Sequence, residues 1–486
     1  MTKADTGDDR SIGAATPPGL EALLADLTAR LGAGAVLVGP EVAERVEAAG
    51  PRLGAPYAIL RPSSPEEVAL ILRSASRAGI SIVPWGGGTG LVHGAVADAA
   101  LALSLERMNR IEAIDPVEQT LTVQAGCILQ TACEAAEAQN LMLAIDLGSR
   151  GSATIGGVIA TNAGGNRVIR FGMTRDLVLG LEVVLADGTI VSSLNSLIKN
   201  NAGYDVKQLF IGSEGTLGVV TRAVLRLRPR PATQDTAFVA FERFEQMTRF
   251  LRRMEAALGG TLSAFEAMWA DFYDLVTTPP ALGRAPLPAG FPYYVLVESL
   301  GGDPLGDTTR FEAALSAAAE AGEISDAVVA KNQSERDAMW ALRDDVRQTA
   351  RNWPIFTFDV SLPIGEMSAY VQQVQTALKD RWAARATLAV FGHIGDGNLH
   401  LIAGVGSQSS EDRRAVESIV YGALDPRSGS ISAEHGIGLE KKAYLHLSRN
   451  PEEIALMRRL KAALDPNGVL NPGKVLPDPP ADGALA

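Results

Sequence analysis

The sequence predicts an α+β fold in two main domains, and three observations carry that reading. The chain of 486 residues exceeds what one hydrophobic core ordinarily serves, so a second core is expected. Its apolar runs read as strand, helix and then strand after strand, which departs from the strict alternation of a doubly wound parallel sheet. At Arg228 and Pro229 a glycine-rich first half gives way to a glycine-poor middle third that holds Trp269, Phe272, Trp340, Trp353 and Phe358. That Pro-flanked strand end marks the domain boundary.

The elements follow in chain order. Leu20, Leu23, Leu24, Leu27 and Leu31 fall at helical spacing, giving an amphipathic first helix over 20–31. Residues 65–77 repeat the pattern, with Ser63 or Ser64 as cap and Gly79 as stop. The apolar run 80–84 predicts a buried strand that empties into WGGGTGL (85–91), where consecutive glycines expose backbone N–H groups in a nest suited to pyrophosphate. This glycine spacing is not the G-x-G-x-x-G of the dinucleotide fold. Short strands are expected over 102–105, 120–124 and 177–185, the last before the hairpin signal Asp187-Gly188, with a helix over 129–139 between them. A second glycine-bearing cluster, 199–220, ends in a β-branched strand continued over 221–227. Beyond the boundary, 238–258 and 310–321 are expected to be helical and 292–297 and 387–391 to be strands. An amphipathic helix from Pro451 closes on DPNG (465–468) and NPGK (471–474).

Composition excludes several classes of function. A hydrophobic content of 47% with 21% charged residues belongs to an ordinary globular protein. The net charge of −12 argues against nucleic acid and against a broad grip on anionic lipid. Two cysteines, Cys127 and Cys133, are too few for a disulfide framework and fit reduced thiols in the cytoplasm. The first nineteen residues carry acids and no apolar core, so neither a secretory signal nor a transit peptide is expected. No run approaches the ~20 apolar residues of a membrane helix, so any link to the inner membrane would be peripheral.

The stretch 146–165, DLGSRGSATIGGVIATNAGG, has six glycines in twenty residues, with small hydroxyl and amide side chains and almost no charge. Missing Cβ atoms let backbone approach a flat ligand, so the stretch reads either as one wall of a site for a planar phosphorylated cofactor or as a Gly-rich connector. Its companions favour the wall.

Of five histidines, three lie within 43 residues: His393, His400 and His435. His393, His400 and Glu434 would offer two imidazoles and a carboxylate to a divalent metal while leaving a position open for substrate. His435, adjacent to Glu434, is the candidate base. Arg343 would fork onto a substrate carboxylate, although a surface ion pair with Asp344 or Asp345 is the simpler reading of its neighbours.

Taken together, PWGGGTGL, GSRGSATIGGVIATNAGG, KNNAGYDVKQLFIGSEGTLGVV, FGHIGDGNLH, SAEHGIG and DPNGVLNPGK resemble, in order and spacing, the FAD-linked oxidases of the vanillyl-alcohol oxidase and p-cresol methylhydroxylase (PCMH) type. The resemblance spans roughly residues 55 to 476 and is strongest to the D-2-hydroxyglutarate and D-lactate dehydrogenase branch. It implies a two-subdomain FAD-binding domain (54–230) after N-terminal tail and helices (1–53), an α+β substrate cap (231–430) and a C-terminal helical return (431–486). It also implies that Gly86, Gly87, Gly88, Thr89, Gly90 and Leu91 hold the pyrophosphate, and that Ser149, Ser152, Ile155, Gly156, Gly157, Asn162, Gly215 and Val220 line the rest of the FAD. Asn471 would reach the isoalloxazine. His393, His400 and Glu434 match zinc ligands, His435 the base and Arg343 a carboxylate anchor.

The implied reaction oxidises a D-2-hydroxy acid to the 2-oxo acid by hydride transfer to flavin N5 with metal assistance. No nicotinamide fingerprint is present, so an electron-transfer flavoprotein, a quinone or a cytochrome would take the electrons, and a homodimer is compatible. Three positions depart from the hydroxyglutarate branch. Arg347 stands where it has Thr, Thr357 where it has Lys, and Ile402 where it has Asn, which leaves open a second-carboxylate substrate and a smaller, more apolar one. A non-redox flavin transferase of the alkyl-glycerone-phosphate synthase type is the alternative within the fold. A metal-dependent hydrolase would leave the glycine walls without a purpose.

Overall fold

The computed structural model describes residues 16–478 except 33 and 50–52; the polar N-terminal stretch lies almost wholly outside the described residues. Helix Leu20–Leu31 buries Leu20, Leu23 and Leu27 against helix Pro65–Ala78, which presents Val68, Ile71, Leu72 and Ala75. The second helix starts where Ser64 Oγ accepts from the Glu67 N–H at 3.3 Å and stops at Gly79, whose φ of +66° an L residue rarely adopts. Both pack in one core with a four-stranded sheet ordered Val36–Leu37, Ala58–Leu60, Leu101–Ser104 and Ile82–Trp85, its last three strands parallel. The C-terminal segment adds to the edge of this sheet: Ile82 N–H donates to Val469 O at 2.8 Å and Asn471 N–H to Ile82 O at 2.7 Å.

A five-stranded antiparallel sheet follows, ordered Ile111–Asp115, Thr120–Gln124, Val219–Arg226, Val178–Val184 and Ile190–Ser193. The third layer is a seven-stranded antiparallel sheet, ordered Asp326–Val329, Thr233–Phe241, Tyr293–Gly301, Leu262–Trp269, Thr387–His393, Asn398–Gly404 and Ile355–Ser361. The architecture is therefore α+β, as the sequence predicts.

One expected element changes type. Residues 238–241 are not the start of a helix but the end of strand Thr233–Phe241, and the helix is Phe244–Leu258. The run over 237–241 is apolar at every position because both faces of this strand are covered, and a fully buried strand loses the alternation that would mark it. For the same reason strands Leu262–Trp269 and Asn398–Gly404 leave no clear periodic signal.

The two faces of the seven-stranded sheet do different work. Val239, Phe265, Val297, Val360, Val390 and Leu401 point into one core, under helices Phe244–Leu258, Asp307–Glu320, Met367–Trp382 and Ser410–Gly422. Phe238, Met268, Leu296, Phe391 and Ile402 point the other way, toward helices Ala270–Thr277 and Gln333–Asp344 and toward the glycine-rich domain. Helix Val168–Phe171 packs against strand Leu262–Trp269 and fastens that domain to the sheet, with Arg170 bonding the Leu300 carbonyl.

Candidate active site

Period-two alternation places the polar side chains of four strands on the second face. In register, Glu266 lies opposite His393, Phe391 opposite His400, His400 opposite Asp359, and Ile402 opposite Thr357. Two rows of functional side chains therefore run across the sheet, and helix Gln333–Asp344 brings Arg343 over them. Arg343 Nε donates to Glu266 Oε2 at 2.8 Å, and Glu266 Oε1 meets His393 Nδ1 at 2.7 Å. The guanidinium NH2 lies 3.1 Å from His393 Nε2, and Glu434 Oε1 lies 3.4 Å from the same nitrogen. Arg343 is only 8% exposed, so the surface ion-pair reading of it is corrected: it contacts Asp344, at 3.4 Å, from within a buried network.

The loop that carries Glu434 and His435 is held by two carboxylates from different domains. Asp359 accepts from the backbone N–H of His435 at 2.9 Å and of Glu434 at 3.1 Å, and Glu214 accepts from the N–H of Ile437 at 2.7 Å and of Gly438 at 2.9 Å. Lys441 Nζ, also buried, lies 3.4 Å from Asp359 Oδ2. His435 Nδ1 faces Asp359 Oδ2 at 3.6 Å, and its ring lies nearly parallel to that of His400 with centroids 5.8 Å apart.

Charges here are set by burial and then by partners. Burial opposes ionising Glu266, but His393 and Arg343 outweigh it and hold the carboxyl at about 2. Burial likewise opposes charging His393, and Glu266 reverses the effect, to about 9. His400, desolvated and facing the His393 charge, lies well below the usual imidazole value and keeps a free lone pair. Burial would raise Asp359, yet His435 and Lys441 bring it well below the usual carboxylate range. One ligand atom each from His393, His400 and Glu434 lie within 4.8 Å of one another, and so do those of Asp359, His400 and His435.

Opposite this row stands the glycine wall. A Cβ on Gly87 would sit 1.9 Å from Ser152 O, and one on Gly156 would sit 2.7 Å from Ala125 Cβ. These glycines let one turn lie directly on another, whereas a Cβ on Gly90, Gly148 or Gly151 would meet nothing within 4 Å. The two sides enclose a cavity of about 940 Å³.

Gly86, Gly87, Gly88, Thr89, Gly90, Leu91, Ser149, Ser152, Gly156, Gly157, Gly215 and Val220 line the cavity, together with Arg343, His393, His400, Glu434 and His435. Three expected residues do not. Ile155 is buried in the first core because it opens a helix whose apolar side faces inward. Asn162 ends that helix, its Oδ1 accepting from the Arg175 N–H at 2.9 Å. Asn471 lies behind the wall, its Nδ2 donating to Glu214 O at 2.7 Å and Gly94 O at 3.2 Å. Glu266, Asp359 and Glu214 were missed by sequence reasoning. Lone acids within the apolar strands FEAM (265–268) and FTFDV (356–360) were the available signal for the first two.

Comparison with known proteins gives the family and the fold. The family described as FAD binding domain matches residues 56–193, and that described as FAD linked oxidases, C-terminal domain, matches residues 230–475. A D-2-hydroxyglutarate dehydrogenase of Xanthomonas citri pv. viticola is 41% identical over 426 residues, covering 86% of this chain and 89% of that protein. Among solved structures, alkyldihydroxyacetonephosphate synthase superposes with a TM-score of 0.73 at 17% identity, over 96% of this chain and 86% of that one. Substrate-bound p-cresol methylhydroxylase superposes with a TM-score of 0.73 at 15% identity, over 94% and 96%. These two likenesses are of fold. The chain belongs to the FAD-linked oxidases, with an FAD-binding domain of the PCMH type followed by the C-terminal domain of that family.

Proposed function

We propose that the protein oxidises a D-2-hydroxy acid to the 2-oxo acid, with FAD as hydride acceptor at N5 and a divalent metal, zinc by its donor set, assisting. The observation that carries this reading is that the imidazole, carboxylate and guanidinium row opens into the same cavity as the glycine wall. The name of the 41%-identical relative points to the same chemistry.

The residues fit both groups. The cavity is at the upper end of the range for cofactor sites, and its glycine side leaves backbone open to a flat ligand. His393, His400 and Glu434 would hold the metal, with Glu266 on the far nitrogen of His393 as the orienting carboxylate. Bound FAD supplies the electron sink, and a bound metal would supply a Lewis acid.

The chain's own side chains do the rest. Arg343 binds the C1 carboxylate and fixes which face of C2 is presented. Asp359 faces His435 Nδ1, which leaves His435 Nε2 to take the C2 hydroxyl proton. The apolar Phe391 and Ile402 keep water from the reacting carbon. Electrons then leave to a separate acceptor, an electron-transfer flavoprotein, a quinone or a cytochrome.

The test is anaerobic mixing of the flavin-loaded protein with paired D- and L-2-hydroxy acids. Bleaching of the flavin bands by D-acids alone is the expected result, and bleaching by neither enantiomer ends the reading. Chelation is expected to lower turnover while flavin stays bound; active enzyme without metal would remove the metal assignment. The transferase alternative has only a fold likeness behind it.

A further inference from the structure

We infer that the site takes a D-2-hydroxy monocarboxylate with an apolar side chain, not a dicarboxylate; this rests on the D-2-hydroxy acid reading above. The cavity contains, among the described residues, a single lysine or arginine side chain, Arg343. That guanidinium already bonds Glu266 through Nε, lies 3.1 Å from His393 through NH2 and meets Asp344 at 3.4 Å through NH1, so it can serve one substrate carboxylate at most. The other acid and basic side chains of the lining, apart from histidine, are the acids Asp146, Glu214 and Glu434, none of which offers a second carboxylate a counter-charge.

What lies beyond the histidines is apolar. On the same sheet face, one step of two residues past His400 reaches Ile402, with Thr357 directly opposite on the edge strand. Ile402 and Phe391 belong to one apolar cluster, 4% and 3% exposed, and Val346 packs against it from the segment after the Arg343 helix. The hydroxyl of Thr357 is the one polar side-chain group of this subsite, and it carries no charge. Arg347, the cation nearest in sequence, is 95% exposed and faces Asp345 at 3.9 Å, outside the cavity lining. A side chain extending from C2 past His400 therefore meets methyl groups and an aromatic ring, which favours a branched aliphatic group over a terminal carboxylate.

The flavin-loaded enzyme is assayed anaerobically with D-2-hydroxyisocaproate, D-lactate and D-2-hydroxyglutarate, reading the rate of flavin bleaching against concentration. D-2-hydroxyisocaproate is expected to exceed D-2-hydroxyglutarate in kcat/KM by about 100-fold, the order of discrimination expected when one substrate fits an apolar subsite and the other brings a charge that finds no counter-charge there. Thr357→Lys, at an exposed edge position that accepts a longer side chain, is expected to move that ratio toward D-2-hydroxyglutarate by about tenfold or more. A wild type that prefers D-2-hydroxyglutarate overturns the inference and leaves the reaction class standing. So does a ratio that Thr357→Lys does not move. Bleaching by none of the three acids removes the reaction class, and this inference with it.

Discussion

The two sides of the cavity are built on opposite principles. The glycine side is mostly main chain: 85–91 lies on 151–153 because Gly87 carries no Cβ, and 155–157 lies on Ala125 because Gly156 carries none. The opposite side is side chain: Glu266, His393, His400 and Asp359 stand in register on a regular antiparallel sheet, and Glu266, His393 and Asp359 each bond a partner from another element. A surface of main chain recognises a ligand by close approach and fails when atoms are added. A surface of buried, paired side chains does chemistry and fails when atoms are removed. Additions should therefore damage one side and deletions the other.

The largest expected effect tests the second half of that contrast. His435→Ala should lower the rate of flavin reduction by about 10²–10⁴-fold, the usual contribution of a positioned base, with FAD content unchanged by absorbance. Near-normal reduction would remove His435 from the reaction.

Next, Glu266→Gln should weaken metal binding by about 10- to 100-fold, since it exchanges the carboxylate on His393 Nδ1 for a neutral amide; metal titration reads this. The same variant sharpens the electrostatics. Glu266 is held at about 2 in the folded chain against an ordinary 4.5, so its ionised form stabilises the fold above pH 4.5 and that contribution disappears as pH falls toward 2. The Tm difference between wild type and Glu266→Gln should accordingly narrow through that acid window, and a difference independent of pH would contradict the assigned charge.

Smaller still, and on the other side, Gly87→Ala should weaken FAD binding by about tenfold, because its new methyl overlaps Ser152 O and overpacking of this kind costs about 1–3 kcal/mol. Gly90→Ala is the control: its Cβ would meet nothing within 4 Å, and FAD affinity should change by less than about twofold. Equal losses at Gly87 and Gly90 would break the distinction between stacked and open backbone.

How much of this was legible beforehand follows the same division. Turn chemistry is local, so WGGGTGL reads as a backbone nest, and the stretch 146–165, by itself either a wall or a connector, reads as a wall in that company. The histidines were visible as a cluster because strands Thr387–His393 and Asn398–Gly404 are joined by a tight turn and keep His393 and His400 close in sequence as well as in space. Ile155, Asn162 and Asn471 sit in the same motifs as true lining residues, and membership of a motif does not say which way a side chain turns. Residues 238–241, the end of strand Thr233–Phe241, read as helix because burial on both faces erases the period-two signal.

By itself the sequence determined which chemical groups the protein owns and the turns that display them, since both depend on residue type within a few positions. Only the tertiary structure decided who their partners are. Glu266 meets His393 across 127 residues and Glu214 meets the Ile437 N–H across 223, and no local pattern encodes such pairings. They arise because sheet register and domain docking are selected by the burial of whole faces, and the charged groups on those faces are carried into contact by that packing.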